Sequence, residues 1–110
     1  MITATITKNN NKITGFELSG HADYADEGSD IVCAAVSAMS INTVNSIASF
    51  TEDKIECSEP DDEEGGYLKF SVSDPSDKSV LLLNSFELGL VTVMESYGEE
   101  FLEIIYLEEL

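Results

Sequence analysis

From Ile31 to Thr51 the chain carries no charged residue, although one residue in four overall is charged. No Gly or Pro interrupts it between Asp30 and Glu59. So long a run without a breaker predicts a helix, and a helix with no charged face is not a surface helix. The rest of the fold is expected to form around it. At helical spacing Val32, Val36, Met39, Thr43, Ile47 and Phe50 make a stripe for the core. Ala34, Ala38, Ile41, Asn42 and Asn45 fall on the opposite side, small or polar without charge, as expected where another element or subunit covers them.

The flanking segments read as strands. Residues 1–8 alternate Ile2, Ala4 and Ile6 with Thr3, Thr5 and Thr7, the period of a strand with one buried face. Asn9, Asn10 and Asn11 signal a turn, and Ile13 to Ser19 returns with Phe16 and Leu18 on one face. Gly15 suggests a bulge or a close backbone approach. Beyond the helix, Lys54 to Ser58 is a short strand with Ile55 and Cys57 facing one way. An acidic turn, Glu59 to Gly66, follows; a Ca²⁺ site there lacks the ligand spacing of an EF-hand. Tyr67 to Ser73 places Leu68, Phe70 and Val72 on one face. Asp74-Pro75 is expected to open a second helix with Val80, Leu83, Leu90, Val91 and Met94 on its apolar side and Gly98 closing it. Glu99 to Leu107 is the last strand. The order ββαββαβ predicts an α+β fold of two layers, two helices on a largely antiparallel sheet.

The length, 110 residues, suits a single domain spanning 1–110. No unbroken run of 18 apolar residues and no charged-then-apolar leader occurs, so neither a membrane span nor a secretory signal is expected. Two cysteines in such a chain read as reduced thiols in a cytoplasm. With 22 acidic against 5 basic residues the formal charge is -17, which repels phosphate backbones and argues against direct nucleic-acid binding. A basic partner would be attracted, and the same charge serves solubility. Asp23, Asp26 and Glu27 are expected to steer such a partner.

Chemistry concentrates between Gly20 and Ser40, which hold the only histidine and one of the two cysteines. Asp30, or Ser29 before it, suits an N-cap. With Asp30 as cap, Cys33 is the third helical position, where free amides and the positive end of the helix dipole favour a thiolate and can cradle an oxyanion. A small, acidic, glycine-containing loop can fold His21 back onto Cys33, giving a Cys/His pair. The same residues also suit a non-catalytic module, with Cys33 a small buried hydrophobe and His21 a loop residue.

The string Gly20-His21-Ala22, then Tyr24-Ala25, Gly28, and Asp30-Ile31-Val32-Cys33-Ala34-Ala35-Val36-Ser37-Ala38 closely resembles the signature of the ribosomal-processing cysteine protease family, called Prp. The length, opening hairpin and second helix around Phe86-Glu87-Leu88-Gly89-Leu90 are similar to that family too, more loosely. The resemblance implies a bacterial cytoplasmic endopeptidase that removes a short N-terminal extension from a large-subunit ribosomal protein. It implies a homodimer with a Cys/His dyad, Cys33 the nucleophile and His21 the base, and no cofactor or metal. Gly20, Asp30, Ala34 and Ser37 match further family positions, expected to support the site or contact substrate. Two other classes stand beside it: an acidic module that holds a basic ribosomal partner, and a thiol redox protein, against which the missing C-x-x-C argues.

Overall fold

A computed structural model describes residues 1–20, 29–59 and 68–109. The elements are β1 (Ile2–Asn9), β2 (Lys12–Ser19), α1 (Ser29–Phe50), β3 (Ile55–Ser58), β4 (Leu68–Val72), α2 (Asp77–Tyr97) and β5 (Leu102–Glu108), in the expected order ββαββαβ. The strands form one sheet ordered β3-β4-β2-β1-β5. β1 with β2, β2 with β4 and β3 with β4 are antiparallel, and only β5 runs parallel to its neighbour β1. Each helix therefore joins two parallel strands, β2 to β3 and β4 to β5, passing over the strands between. The two crossovers move in opposite directions from oppositely directed strands, so the same handedness puts both helices on one face.

Local chemistry explains the hairpin. Asn10 and Asn11, at φ 52° and 65°, make the two-residue turn that matches strand twist, and Asn tolerates this region best after Gly. Thr7 faces Gly15 but Lys8 faces Ile13, so Thr14 is one residue too many. This bulge shifts the alternation, which is why Ile13 and Phe16, three apart, are both buried. Gly15 is also a close approach: a Cβ there would lie 2.6 Å from the Phe70 carbonyl oxygen.

The core lies between sheet and helices. Ile2, Ala4, Ile6, Phe16, Leu18, Leu68, Phe70 and Val72 meet Val32, Val36, Ile47, Leu83, Phe86 and Leu90 in one cluster. At its centre the Phe16 ring sits 5.3 Å from Phe70 and 4.4 Å from Phe86. Burial on this scale is the main stabilising term for such a chain. The helical stripe holds from Val32 to Ile47 but not to Phe50, which is 66% exposed at the end of α1 and finds no cover among the described residues. Ser40 and Thr43 are buried within it. Their hydroxyls donate to the carbonyls of Ser37 (3.0 Å) and Met39 (2.8 Å), leaving no polar cost.

The second helix opens later than expected. Ser76, not Asp74-Pro75, is the cap, extended at φ -68° and ψ 168°, its Oγ accepting from the Ser79 amide; Pro75 precedes it. Ser outranks Pro because its side chain satisfies an amide that Pro merely lacks. Asp53, after α1, braces this start: its carboxylate accepts from the Ser76 amide (2.9 Å), Ser76 Oγ (2.8 Å) and Ser79 Oγ. Phe86 and Ser79 join the expected apolar face, and Gly98 donates to Met94 O at the far end. The last strand begins at Leu102 rather than Glu99, because residues 99–101 turn, the Phe101 amide donating to Gly98 O.

Candidate active site

The end of the sheet where β1 and β4 begin and β2 finishes lies against the first turns of α1. Ile2, Leu18, Gly20 and Leu68 from the sheet side, with Cys33, Val36, Ser37, Ser40 and Ile41 of α1 and Glu59, line a groove of about 150 Å³. Cys33 is half-buried in its wall. A helical side chain leans toward the N-terminus of its helix, so its sulfur faces the opening turn. The groove is mainly apolar, and its volume matches a side chain or two.

Gly20 fixes the geometry beside it. Its φ of +78° is left-handed, and a Cβ there would stand 2.5 Å from the Met1 carbonyl oxygen. Only glycine satisfies both constraints. The next residue, His21, lies outside the described residues, as do Asp23, Asp26 and Glu27 and, Glu59 apart, the acidic turn to Gly66 weighed for Ca²⁺.

Two expectations at the helix start change. α1 begins at Ser29, so Asp30 is the second helical residue instead of the cap, and Cys33 the fifth instead of the third. The amides without helical partners are then those up to Ile31, and the Cys33 amide is bonded within the helix. An oxyanion donor from this helix must come from its first turn, ahead of the sulfur.

Ser37, one turn beyond Cys33, lines the same groove, and its carbonyl is occupied by Ser40 Oγ. Ala34 does not line it: exposed, it shares the outer face of α1 with Ile31 and Ala38, whereas Ile41, expected on that face, turns to the groove. Sequence reading missed Ile2, Leu18, Ser40, Glu59 and Leu68, and placed Val36 in the core stripe and Ile41 on the opposite side of the helix. Ser40 was within reach, being seven residues from Cys33 and three from Ser37 on one helical face. The other missed residues arrive through the sheet and have no local signal.

Cys57 is a different thiol. It sits exposed on the edge strand β3, and its pKa is raised, first by partial desolvation and then by the Glu59 charge. Both effects disfavour thiolate. A larger recess of about 630 Å³ covers the open face of the sheet, among Thr5, Thr7, Glu17 and Lys69, but neither cysteine lines it.

Comparison with known proteins places the chain among the cysteine proteases. Residues 1–101 match the family model described as cysteine protease Prp. The chain belongs to the Prp family. The ribosomal processing cysteine protease Prp of Staphylococcus aureus is 38% identical over 104 residues, covering 90% of this chain and 93% of that protein. Its Bacillus subtilis counterpart is 35% identical over 108 residues, covering 90% and 92%. A crystal structure of the S. aureus protease with a covalently linked product peptide matches with a TM-score of 0.84 at 34% identity, over 97% of this chain and 100% of that one. The α+β fold of two helices on a five-stranded, mostly antiparallel sheet is thus that of Prp proteases.

Proposed function

We propose that this cysteine protease removes the short N-terminal extension of a large-subunit bacterial ribosomal protein, using Cys33 as nucleophile and His21 as base. The observation that supports it is the placement of Cys33 in a groove bounded by Gly20, the residue bonded to His21, in a family with a member captured bearing a covalently linked product peptide. His21 takes the thiol proton as the Cys33 sulfur bonds to the scissile carbonyl carbon. The C–N bond then breaks, the leaving amine takes that proton, and water hydrolyses the thioester, its own proton passing through His21 to restore the thiol. Amides of the first turn of α1, free of helical partners, would stabilise the oxyanion. Ser37 supports the sulfur or the peptide from one turn away.

The reading includes a homodimer in the bacterial cytoplasm, away from membrane and nucleic acid. By length and composition Ile31–Phe50 and Asp77–Tyr97 would each pass for a bilayer span, with mean hydropathy 1.5 and 1.2, although neither is an unbroken apolar run. Both instead lay one side on the sheet. The outer side of α1, with Ile31, Ala34, Ala38, Asn42 and Asn45, is exposed and uncharged on a chain of charge -17. A second copy approaches there with least repulsion.

Intact-mass measurement of the extended ribosomal protein incubated with the parental protein should show loss of the extension. The Cys33→Ala variant should leave the mass unchanged. Equal processing by both, or by neither, would defeat this reading, the latter favouring an acidic module that only holds its basic partner.

A further inference from the structure

The strand β5 ends the sheet, and none of the described residues pairs with its outer edge. Such an edge is a template for another strand unless charge, proline or a bulge blocks it. β5 has no proline and its only charges are the acidic Glu103 and Glu108, which turn away an acidic strand but not a basic one, and its pairing with β1 runs in unbroken register from Leu102 to Glu108. Ile105, Tyr106 and Leu107 are exposed on it. Between β5 and α2 runs a groove of about 460 Å³, floored by Met1, Met94, Ile104 and Tyr106 and rimmed by Glu99 and Glu103. Tyr106 is held by Glu87, to which its hydroxyl donates, and Lys8 lies 5.2 Å from its ring. Glu108 and Glu109 mark the far end.

The groove comes within one residue of the site already described, Met1 lining the one and Ile2 the other. Ile2 lines the Cys33 groove, and its amide donates to the carbonyl of Phe101, the residue before β5 (3.0 Å). Two strand spacings, about 10 Å, separate β2 from β5 at this end of the sheet.

We propose that the outer edge of β5 and its flanking groove form a second docking site, which takes an extended, lysine- or arginine-rich segment of the substrate protein as an added strand. The proposal rests on the processing function above, from which it takes the occupant. Backbone hydrogen bonds to β5 supply sequence-independent affinity, alternate apolar side chains enter the groove, and the basic ones meet Glu99 and Glu103. Charge selects against a second copy as occupant. Edge-to-edge pairing would bring two sets of Glu99, Glu103, Glu108 and Glu109 within a screening length of about 8 Å.

The test uses a ten-residue alternating Lys-Val peptide without a cleavage junction, titrated into the full chain while backbone amide shifts are followed by NMR. The amides of residues 102–108 should shift in a salt-sensitive way. The E99K/E103K variant, altered at two exposed positions, should weaken binding at least tenfold, and E99Q/E103Q should weaken it less. No binding at millimolar peptide, shifts that spare β5, or equal affinity in both variants would overturn the proposal. Shifts at β5 that grow with protein concentration without peptide would assign the edge to a second copy and overturn it too. Because no peptide bond is cut, this outcome is separate from the mass assay, which alone judges the processing reading.

Discussion

Cys33 and Cys57 carry the same group, and their surroundings separate them. One stands in a groove at the head of a helix, the other on an edge strand where partial desolvation, and then the Glu59 charge, oppose its ionisation. Gly20 is the residue on which the groove's shape depends most visibly. Gly20→Ala should destabilise the fold by about 2 kcal/mol from the left-handed φ alone, and the clash with the Met1 carbonyl should move the backbone leading to His21. Thermal unfolding and peptide turnover check this; a variant as stable and active as the parent would show that the chain reaches the site by another path. The trio of Gly20, Cys33 and Ser37 was legible in the sequence because two lie one helical turn apart and the third ends a strand. Leu18, Leu68 and Ile2 were not, since only sheet pairing carries them to the thiol.

Among the elements, alternation and helical spacing predicted all seven, and the errors fell at their ends: the starts of both helices, the start of β5 and the exposed Phe50 at the close of α1. At α2 the choice between Ser76 and Pro75 depends on which side chain finds an amide, a matter of about 1 kcal/mol that patterning does not resolve. Asp53 shows what lay beyond local reading. Twenty-three residues before the cap it serves, its carboxylate is held below its ordinary pKa, first by Ser79 Oγ and then by the Ser76 amide and hydroxyl. A pKa lower folded than unfolded means that ionised Asp53 stabilises the fold at neutral pH. That contribution begins to fade near the ordinary carboxylate value of about 3.9 and is gone once pH falls through the folded value. Asp53→Asn should therefore lower stability at pH 7 and flatten the acid limb of stability against pH. An acid limb parallel to that of the parent would remove Asp53 from the account.

For the whole molecule, a charge of -17 and an uncharged outer face on α1 are two sides of one design. On the proposed reading, the charge would keep copies apart except at that face. Sedimentation equilibrium should give a dimer for the parent, and Ala38→Glu, at an exposed position, should raise its dissociation constant at least tenfold; a parent that stays monomeric at tens of micromolar would contradict this. Acidity also bears on the partner, since a lysine- and arginine-rich protein is drawn to such a surface. The central claim is that one thiol and one imidazole act as a unit, and single-turnover cleavage of a peptide spanning the extension junction tests it most directly. Cys33→Ala, His21→Ala and the double variant should lose nearly the same amount of rate while still binding the uncleaved peptide, and Ser37→Ala should lose less. Cleavage by Cys33→Ala at near the parental rate, or losses from Cys33→Ala and His21→Ala that simply add in the double variant, would contradict it.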